Sequence, residues 1–587
     1  MNIMNTLTQT QVAKRYEIVT KEKAGGATYT PKNLSDFVAE QIVASMDTIK
    51  LKQPLRLLDP AVGDGMLLIS LLEKLTKVHH STIDVFGFDT NANAIKNSIR
   101  RLEQLFPNIS FHLKTGNFLE FVDDYIGASS NTDLFKTSVT EDFDIIIANP
   151  PYVRTQILGA KQANLLARQY GLTGRIDLYY AFLLGMGRVL STRGIAGIIV
   201  SNRFMTTKSG RVVRRNILDQ FKVLHVWDMG DTRLFEAAVL PAVLLLEGVR
   251  NDKQVVSLKP KFTSIYSTDE TGKLSTNDPI AALEETGVVE VKDGRRFFIQ
   301  HGILDNGNSA DGVWRIATET SDRWMLTVKA HTWDTFSRIG KIRVGVKTTA
   351  DKVFIRSDWN ELLEDQRPEL LRPLMTHHGA RRYKYVWPKT SKQIIYPHKM
   401  IHGRRCAVDL TEYPRAAAYF NRYRSVLESR EYVVEARRKW YEIWVPHSPD
   451  DWAKPKIVFR DISEKPMFWM DLGGTVVNGD CYWLTCHDES RTDLLWLALA
   501  VSNSTFIETF YDHRFHNKLY AGRRRFMTQY VEQFPLPDPD SALSKSIVEM
   551  TKRIYNLTPS ADADVLDKEI ENLIWSAFGL PAKKVSG

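Results

Sequence analysis

Asn149-Pro150-Pro151-Tyr152 sets an amide, two prolines and an aromatic ring at consecutive positions. It follows Asp144-Ile145-Ile146-Ile147-Ala148, an apolar, β-branched run that reads as a buried strand. Two prolines cannot continue that strand, because neither offers an N–H to a ladder. The backbone therefore stiffens just past a strand end, which is where open α/β sheets bind ligands. A rigid turn that presents hydrogen-bond acceptors beside a stacking surface suits a flat ring bearing an amino group. A proline turn capped by Asn149 is the plain structural alternative, and the surrounding chain has to decide between the two.

Three earlier strand ends carry residues of the same kind. Leu55–Leu58 is followed by Asp59-Pro60-Ala61-Val62-Gly63-Asp64-Gly65 and then a helix over Met66–Leu75, the first unit of a nucleotide-binding α/β sheet. The turn has neither the Gly-x-Gly-x-x-Gly fingerprint nor a Walker lysine. It opens on one acid and contains another, so it suits a cationic ligand, or one with an amine and hydroxyls, better than a pyrophosphate. The next strand, Ile83–Phe88, ends in Asp89, placed either to meet ribose hydroxyls or to cap the helix starting near Ala92. Asn91 can take the capping role and leave Asp89 to a ligand. A third strand near Ile109–Leu113 leads to Asn117-Phe118, and a polar stretch from Asp123 to Asp142 reads as a surface loop. Upstream, Gly25-Gly26 and Thr30-Pro31 introduce a helix running to about Met46. In a parallel sheet the four strand ends face one crevice.

The order of these motifs resembles the gamma-type DNA adenine-N6 methyltransferases, the TaqI-methyltransferase-like group of restriction–modification enzymes. The similarity continues through Arg175-Ile176-Asp177-Leu178-Tyr179-Tyr180-Ala181-Phe182, through Gly194–Ser201 with Asn202, and through Leu234-Phe235 with Pro241–Leu246. The resemblance implies a Rossmann-like α/β domain over residues 1–250 that uses S-adenosyl-L-methionine. By position in the motifs, Thr30, Asp59, Ala61, Gly63, Gly65, Asp89, Asn117, Phe118, Asn149 and Pro151 would hold the cofactor. Asn149, Pro150, Tyr152 and Phe235 would act on the base, with no metal. The family often has Asp where this chain has Asn117, whose amide oxygen can still accept from an adenine amino group. The chemistry so implied is methyl transfer to the exocyclic amine of a flipped-out adenine. The Asn149 side-chain oxygen and the Pro150 carbonyl would accept the amino hydrogens, and Tyr152 and Phe235 would contact the two faces of the ring.

The rest of the chain is read for what it would bind. At 587 residues it should hold two or more domains. The net charge of +9 hints at a polyanionic partner. Residues 251–335 read as a connector, and residues 336–587 as a β-rich, mixed α+β target-recognition domain ending in amphipathic helices. That second half interleaves basic and aromatic residues: Arg381-Arg382-Tyr383-Lys384-Tyr385, Arg404-Arg405, Arg437-Arg438-Lys439-Trp440-Tyr441, and His513–Tyr520 with Arg523-Arg524-Arg525. Such clusters suit phosphate contact with base stacking, so double-stranded DNA is the expected partner, along with a cognate restriction endonuclease acting on the same sequence. Cys406, Cys481 and Cys486 are too few for a disulfide framework and lack the companions of a zinc site. With no apolar leader and no membrane-length apolar run, a cytoplasmic, non-membrane protein is expected. The alternatives are an Asn-Pro-Pro-Tyr methyltransferase acting on RNA or on a protein glutamine, a DNA-binding module without activity, and a fused restriction enzyme. The basic-aromatic second half argues against a protein substrate. The intact acid and amide positions argue against an inactive module, and no acidic/lysine cluster has room for a nuclease domain.

Overall fold

The computed structural model describes residues 30–46, 54–79, 82–130, 142–153, 160–172, 177–235, 239–249, 259–307, 309–515 and 523–581. Gly25–Tyr29, Arg175-Ile176 and His516–Tyr520 lie outside them. The chain divides into a unit ending at Thr318 and a unit beginning at Glu319.

The first unit is built on one sheet of β1 (Leu55–Asp59), β2 (Ile83–Asp89), β3 (Ser110–Thr115), β4 (Phe143–Ala148), β5 (Leu190–Ser201), β6 (Phe221–Asp228), β7 (Pro241–Gly248), β8 (Lys261–Ser267), β9 (Leu274–Thr276), β10 (Gly287–Val291), β11 (Arg296–Asp305) and β12 (Arg315–Ala317). The main path runs β3-β2-β1-β4-β5-β7-β6-β8-β11-β10-β9. From β3 through β5 every pairing is parallel, and β7 inserts antiparallel between β5 and β6. Order reverses between β1 and β4, which is the switch point where such sheets open a ligand crevice.

β4 shows why the apolar run works. Ile145 and Ile147 enter a core that includes Val38, Leu68 and Leu71 on one face, while Ile146 and Ala148 enter a core that includes Phe118, Tyr179 and Leu183 on the other. A central parallel strand is covered on both sides, so its sequence is apolar throughout rather than alternating. The helices Lys32–Ser45, Met66–Val78 and Ala92–Leu105 supply the first face, and Phe118–Ser130 and Leu178–Val189 the second.

Two expectations are corrected here. The polar stretch from Asp123 begins as helix: Phe118–Ser130 is one element, because Phe118, Leu119, Val122 and Tyr125 recur on one buried stripe. The expected connector at residues 251–335 is mostly sheet. β8 pairs parallel with β6, and β11 pairs antiparallel with β8, so the first unit runs to Thr318 rather than 250.

The second unit is mixed α+β. Its five-stranded sheet runs Ile342–Val344, Cys481–Thr485, Lys456–Arg460, Phe468–Asp471, Tyr383–Lys384. Helices Asp493–Asn503, Ala542–Leu557 and Ala561–Ala577 bury Leu495, Ile547, Ile554, Ile570 and Ile574 in one core with Ile457 and Phe468 of that sheet. The C-terminal amphipathic helices therefore pack within their own unit. Among the described residues no helix is long and apolar enough to cross a membrane.

Candidate active site

The four strand ends come together as neighbours along one sheet edge. Asp59 ends β1 and Asp89 ends β2; Asn117 follows β3 and Asn149 follows β4. Backbone and side-chain hydrogen bonds tie the ends of β1 and β2 to one another. The Gly63 N–H donates to Asp89 Oδ2 at 2.9 Å, and the Asn91 N–H to Asp89 Oδ1 at 2.8 Å. Asn91 caps the following helix by accepting from the Asn93 and Ala94 N–H groups, which leaves Asp89 to join the two loops. Ser98 Oγ donates to the Gly63 carbonyl at 3.0 Å.

Gly63 and Gly65 both adopt positive φ, 53° and 76°. Gly65 packs against Ser98, whereas a Cβ on Gly63 would meet no side chain within 4 Å. The strained conformation requires glycine at both positions, and at Gly63 it also leaves ligand space open.

Asp59 is fully buried. Its Oδ1 accepts the Ala61 N–H at 3.0 Å, while its Oδ2 has no partner among the described residues. Burial, reinforced by the charges of Asp89 and Asp64 and only partly offset by the Ala61 N–H, pushes its pKa up to about 8. A buried carboxyl with one orphan oxygen is costly unless a cationic or donor group of a ligand completes it.

Asn149 is held at both ends of its amide. Its Nδ2 donates to Thr30 Oγ1 at 3.0 Å, and its Oδ1 accepts from the Tyr152 hydroxyl at 2.9 Å. Thr30, just ahead of the helix Lys32–Ser45, therefore reaches across 119 positions to the proline turn. Pro150 is buried and Pro151 half-buried, and the Leu178 N–H donates to the Val153 carbonyl at 2.9 Å, fixing the turn's exit to the next helix. The Tyr152 ring meets Tyr179 edge-on, with centroids 5.8 Å apart at 73°, and remains half-buried. Burial, with the charge of Asp177, holds its phenol well above the usual range, so it stays neutral.

Other predicted positions fall elsewhere. Asn117 Oδ1 accepts the Leu119 N–H at 3.0 Å and so caps its own helix while staying half-buried at the edge. Phe118 is 1% exposed, its ring packed among Phe88, Phe121 and Phe182, so it offers no open face to a ligand. Phe235 does not meet Tyr152. It is 7% exposed in the core on one sheet face, whereas Tyr152 packs against the core on the other. Both rings bury their large apolar area in the core.

Comparison with known proteins places this geometry. Residues 66–235 match the family described as Eco57I restriction-modification methylase, and residues 398–536 match the TaqI-like C-terminal specificity domain. The type II methyltransferase M.BanIII of Aneurinibacillus aneurinilyticus is 35% identical over 583 residues, covering 96% of this chain and 98% of that protein. The chain belongs to the type II restriction–modification methyltransferases. Another member, M.BstVI of Geobacillus stearothermophilus, is 24% identical over 539 residues, covering 88% of this chain and 90% of that protein. The DrdV–DNA complex matches with a TM-score of 0.50 at 12% identity, over 91% of this chain and 57% of that one, a likeness of fold alone.

The methyltransferase has a polar knot at the same edge that sequence reasoning missed. Asn202 Nδ2 donates to Asp228 Oδ1 at 2.9 Å, the Tyr266 hydroxyl to Asp228 Oδ2 at 2.6 Å, and the Gly230 N–H to Asp228 Oδ1 at 3.2 Å. These residues sit at the ends of β5, β6 and β8 and anchor the start of the segment that carries Phe235. Burial pushes the Asp228 carboxyl up to about 6 against the pull of its hydrogen bonds. The acid closing the strand Val226-Trp227-Asp228 was the available signal; Tyr266 lay in the stretch read as connector.

Tyr152 in the methyltransferase gives a separable test. Tyr152→Phe keeps the ring and removes the hydroxyl on Asn149 Oδ1, so turnover should stay within about threefold. Tyr152→Ala removes the ring, and a base that stacked on it would lose about 1–3 kcal/mol, lowering kcat/KM by about 5- to 150-fold. Steady-state kinetics on the two variants read the difference.

Proposed function

We propose that this methyltransferase methylates the N6 amino group of adenine at a specific sequence in duplex DNA, protecting that sequence from a cognate restriction endonuclease. The carrying observation is the amide of Asn149, pinned by Thr30 on a double-proline turn beside the switch point of the sheet.

The residues of the edge fit S-adenosyl-L-methionine. The orphan oxygen of buried Asp59 suits a cationic group, and the open side of Gly63 leaves room for close approach. Asp89, at the end of β2, would meet the ribose hydroxyls, and half-buried Asn117 and Pro151 the adenine ring. When bound, this cofactor supplies a methyl group activated by a sulfonium.

The chain's own residues deal with a poor nucleophile. The lone pair of an adenine amino group is delocalised into the ring. The Asn149 Oδ1 and the Pro150 carbonyl accept its two hydrogens, which draws the nitrogen toward tetrahedral geometry and localises the lone pair. The prolines and Thr30 hold these acceptors in place before reaction, so little reorganisation is needed when charge develops. In the free protein Tyr152 donates to Asn149 Oδ1, and an incoming amino group takes over that acceptor while the ring stacks on the base. No general base is required, since a proton leaves after the new N–C bond forms. The base must leave the duplex at a cost of a few kcal/mol, and stacking on Tyr152 offsets part of it.

The test is to supply labelled cofactor with unmethylated genomic DNA, total RNA and a protein extract, then map modified positions by sequencing. Label in DNA at one recurring sequence supports the proposal; label confined to RNA or protein refutes it.

A further inference from the structure

The basic clusters of the second unit divide into two kinds once their partners are seen. Arg382 pairs with Asp567 at 2.7 Å, Arg524 with Asp512 at 2.8 Å and Arg525 with Asp461 at 3.0 Å, so these arginines hold the unit together. Arg404 and Arg405 are different. Both are exposed, and neither guanidinium has an ion-pair partner among the described residues.

They lie on a two-stranded ribbon, His398–Ile401 against Arg404–Ala407, that pairs with no other strand among the described residues. Ile401 pairs with Arg404, so the loop is only His402-Gly403, with φ of 47° and 72°. Two consecutive positive φ values give the tight turn whose twist matches the strands, so the ribbon is stiff to its tip. Its base is anchored. His398 is buried and its Nε2 accepts the Ile443 N–H at 3.1 Å; the Tyr441 hydroxyl donates to the Val408 carbonyl at 2.6 Å.

The ribbon has two faces, because paired and alternate residues share a side. His398, Met400 and Ala407 turn toward the body, with Ser448 Oγ donating to Met400 Sδ at 3.6 Å, and Arg405, paired with Met400, shares their side while remaining exposed. Lys399, Ile401, Arg404 and Cys406 turn away, and Ile401 is 40% exposed. The ten residues contain three cations and no acid, and Lys399 alone is neutralised, by Glu412 at 2.9 Å.

We propose that this hairpin is a base-reading element that enters the major groove of duplex DNA, with Arg404 on a base edge beside Ile401 and with Arg405 on phosphate. The proposal rests on the DNA reading of the active site and deepens it. The major groove admits a two-stranded ribbon, arginine matches the paired acceptors of a guanine edge, and an aliphatic side chain packs on a thymine methyl. The charge complements the backbone on either side.

The test uses the full-length protein, Arg404→Ala and Arg405→Ala, on a duplex carrying the methylated sequence found by mapping and on a scrambled duplex. Thermal melting and cofactor binding should match wild type, since both side chains are exposed. Arg404→Ala should weaken the cognate complex by about 5- to 150-fold with little change on the scrambled duplex, and relax the methylated motif at one position. Arg405→Ala should weaken both complexes alike and lower the salt dependence of binding by about one counterion. Wild-type DNA methylation with Arg404→Ala unchanged, or with equal loss on both duplexes, overturns the hairpin assignment and leaves the active-site reading standing. Wild type that methylates no DNA overturns both.

Discussion

Asn149→Ala is expected to lower the rate of methyl transfer by about 10²- to 10³-fold or more, the range for removing one preorganised group that stabilises developing charge. Under the proposed function, the substitution takes away the side-chain acceptor for the amino group and leaves the Pro150 carbonyl alone to orient it. It also frees Thr30 and Tyr152 from the amide they share, so the turn keeps its prolines but loses its cross-link to the N-terminal helix. The positions proposed for the cofactor, Asp59, Gly63 and Asp89, are untouched, so cofactor affinity should change by less than about tenfold, one neutral hydrogen bond. Single-turnover rates and calorimetric cofactor titration separate the two. Near-wild-type turnover would contradict the role assigned to the amide.

Asp59→Asn is expected to weaken cofactor binding by about 30- to 1,000-fold, as for loss of one partner of a buried, charge-assisted contact. The pH dependence carries the sharper prediction. Burial pushes the Asp59 carboxyl from the ordinary carboxylate range up to about 8, so it is protonated in the free protein at neutral pH. A folded-state pKa raised above the unfolded one contributes stability that is full below the unfolded value and is lost as pH rises through the folded one. The cofactor-free protein should therefore lose stability from Asp59 between roughly pH 4 and pH 8. If a cation on the cofactor meets the ionised carboxylate, binding expels the proton. Affinity should then rise about tenfold per pH unit from pH 6 toward pH 8 and level off above it. Titrations in buffers of different ionisation heat should detect one proton released, and Asp59→Asn should flatten the profile. A wild-type affinity independent of pH would contradict this account of the orphan oxygen.

The order of strand ends was legible because each rests on local chemistry: an apolar run, a glycine turn or a proline pair dictates where a strand stops. Asn91 as helix cap was legible for the same reason, since it is decided within three residues, whereas the bond from Gly63 to Asp89 spans 26 positions and was not. Phe118 and Phe235 were not. A ring after a strand end looks the same in sequence whether it faces a ligand or a core, and only the packed neighbours decide. Two of the basic clusters were misread because their partners are distant in sequence: Arg382 meets Asp567, and Arg525 meets Asp461. The sheet extension β8–β12 was hidden by turn residues that punctuate hairpins and linkers alike.

The measurement closest to the central claim is nucleoside analysis of unmethylated duplex DNA treated with the wild-type protein and S-adenosyl-L-methionine bearing a labelled methyl group. Enzymatic digestion followed by mass spectrometry should find the label in N6-methyldeoxyadenosine. Label in a methylated cytosine, or DNA without label, would contradict the assignment of Asn149–Tyr152 to an adenine amino group.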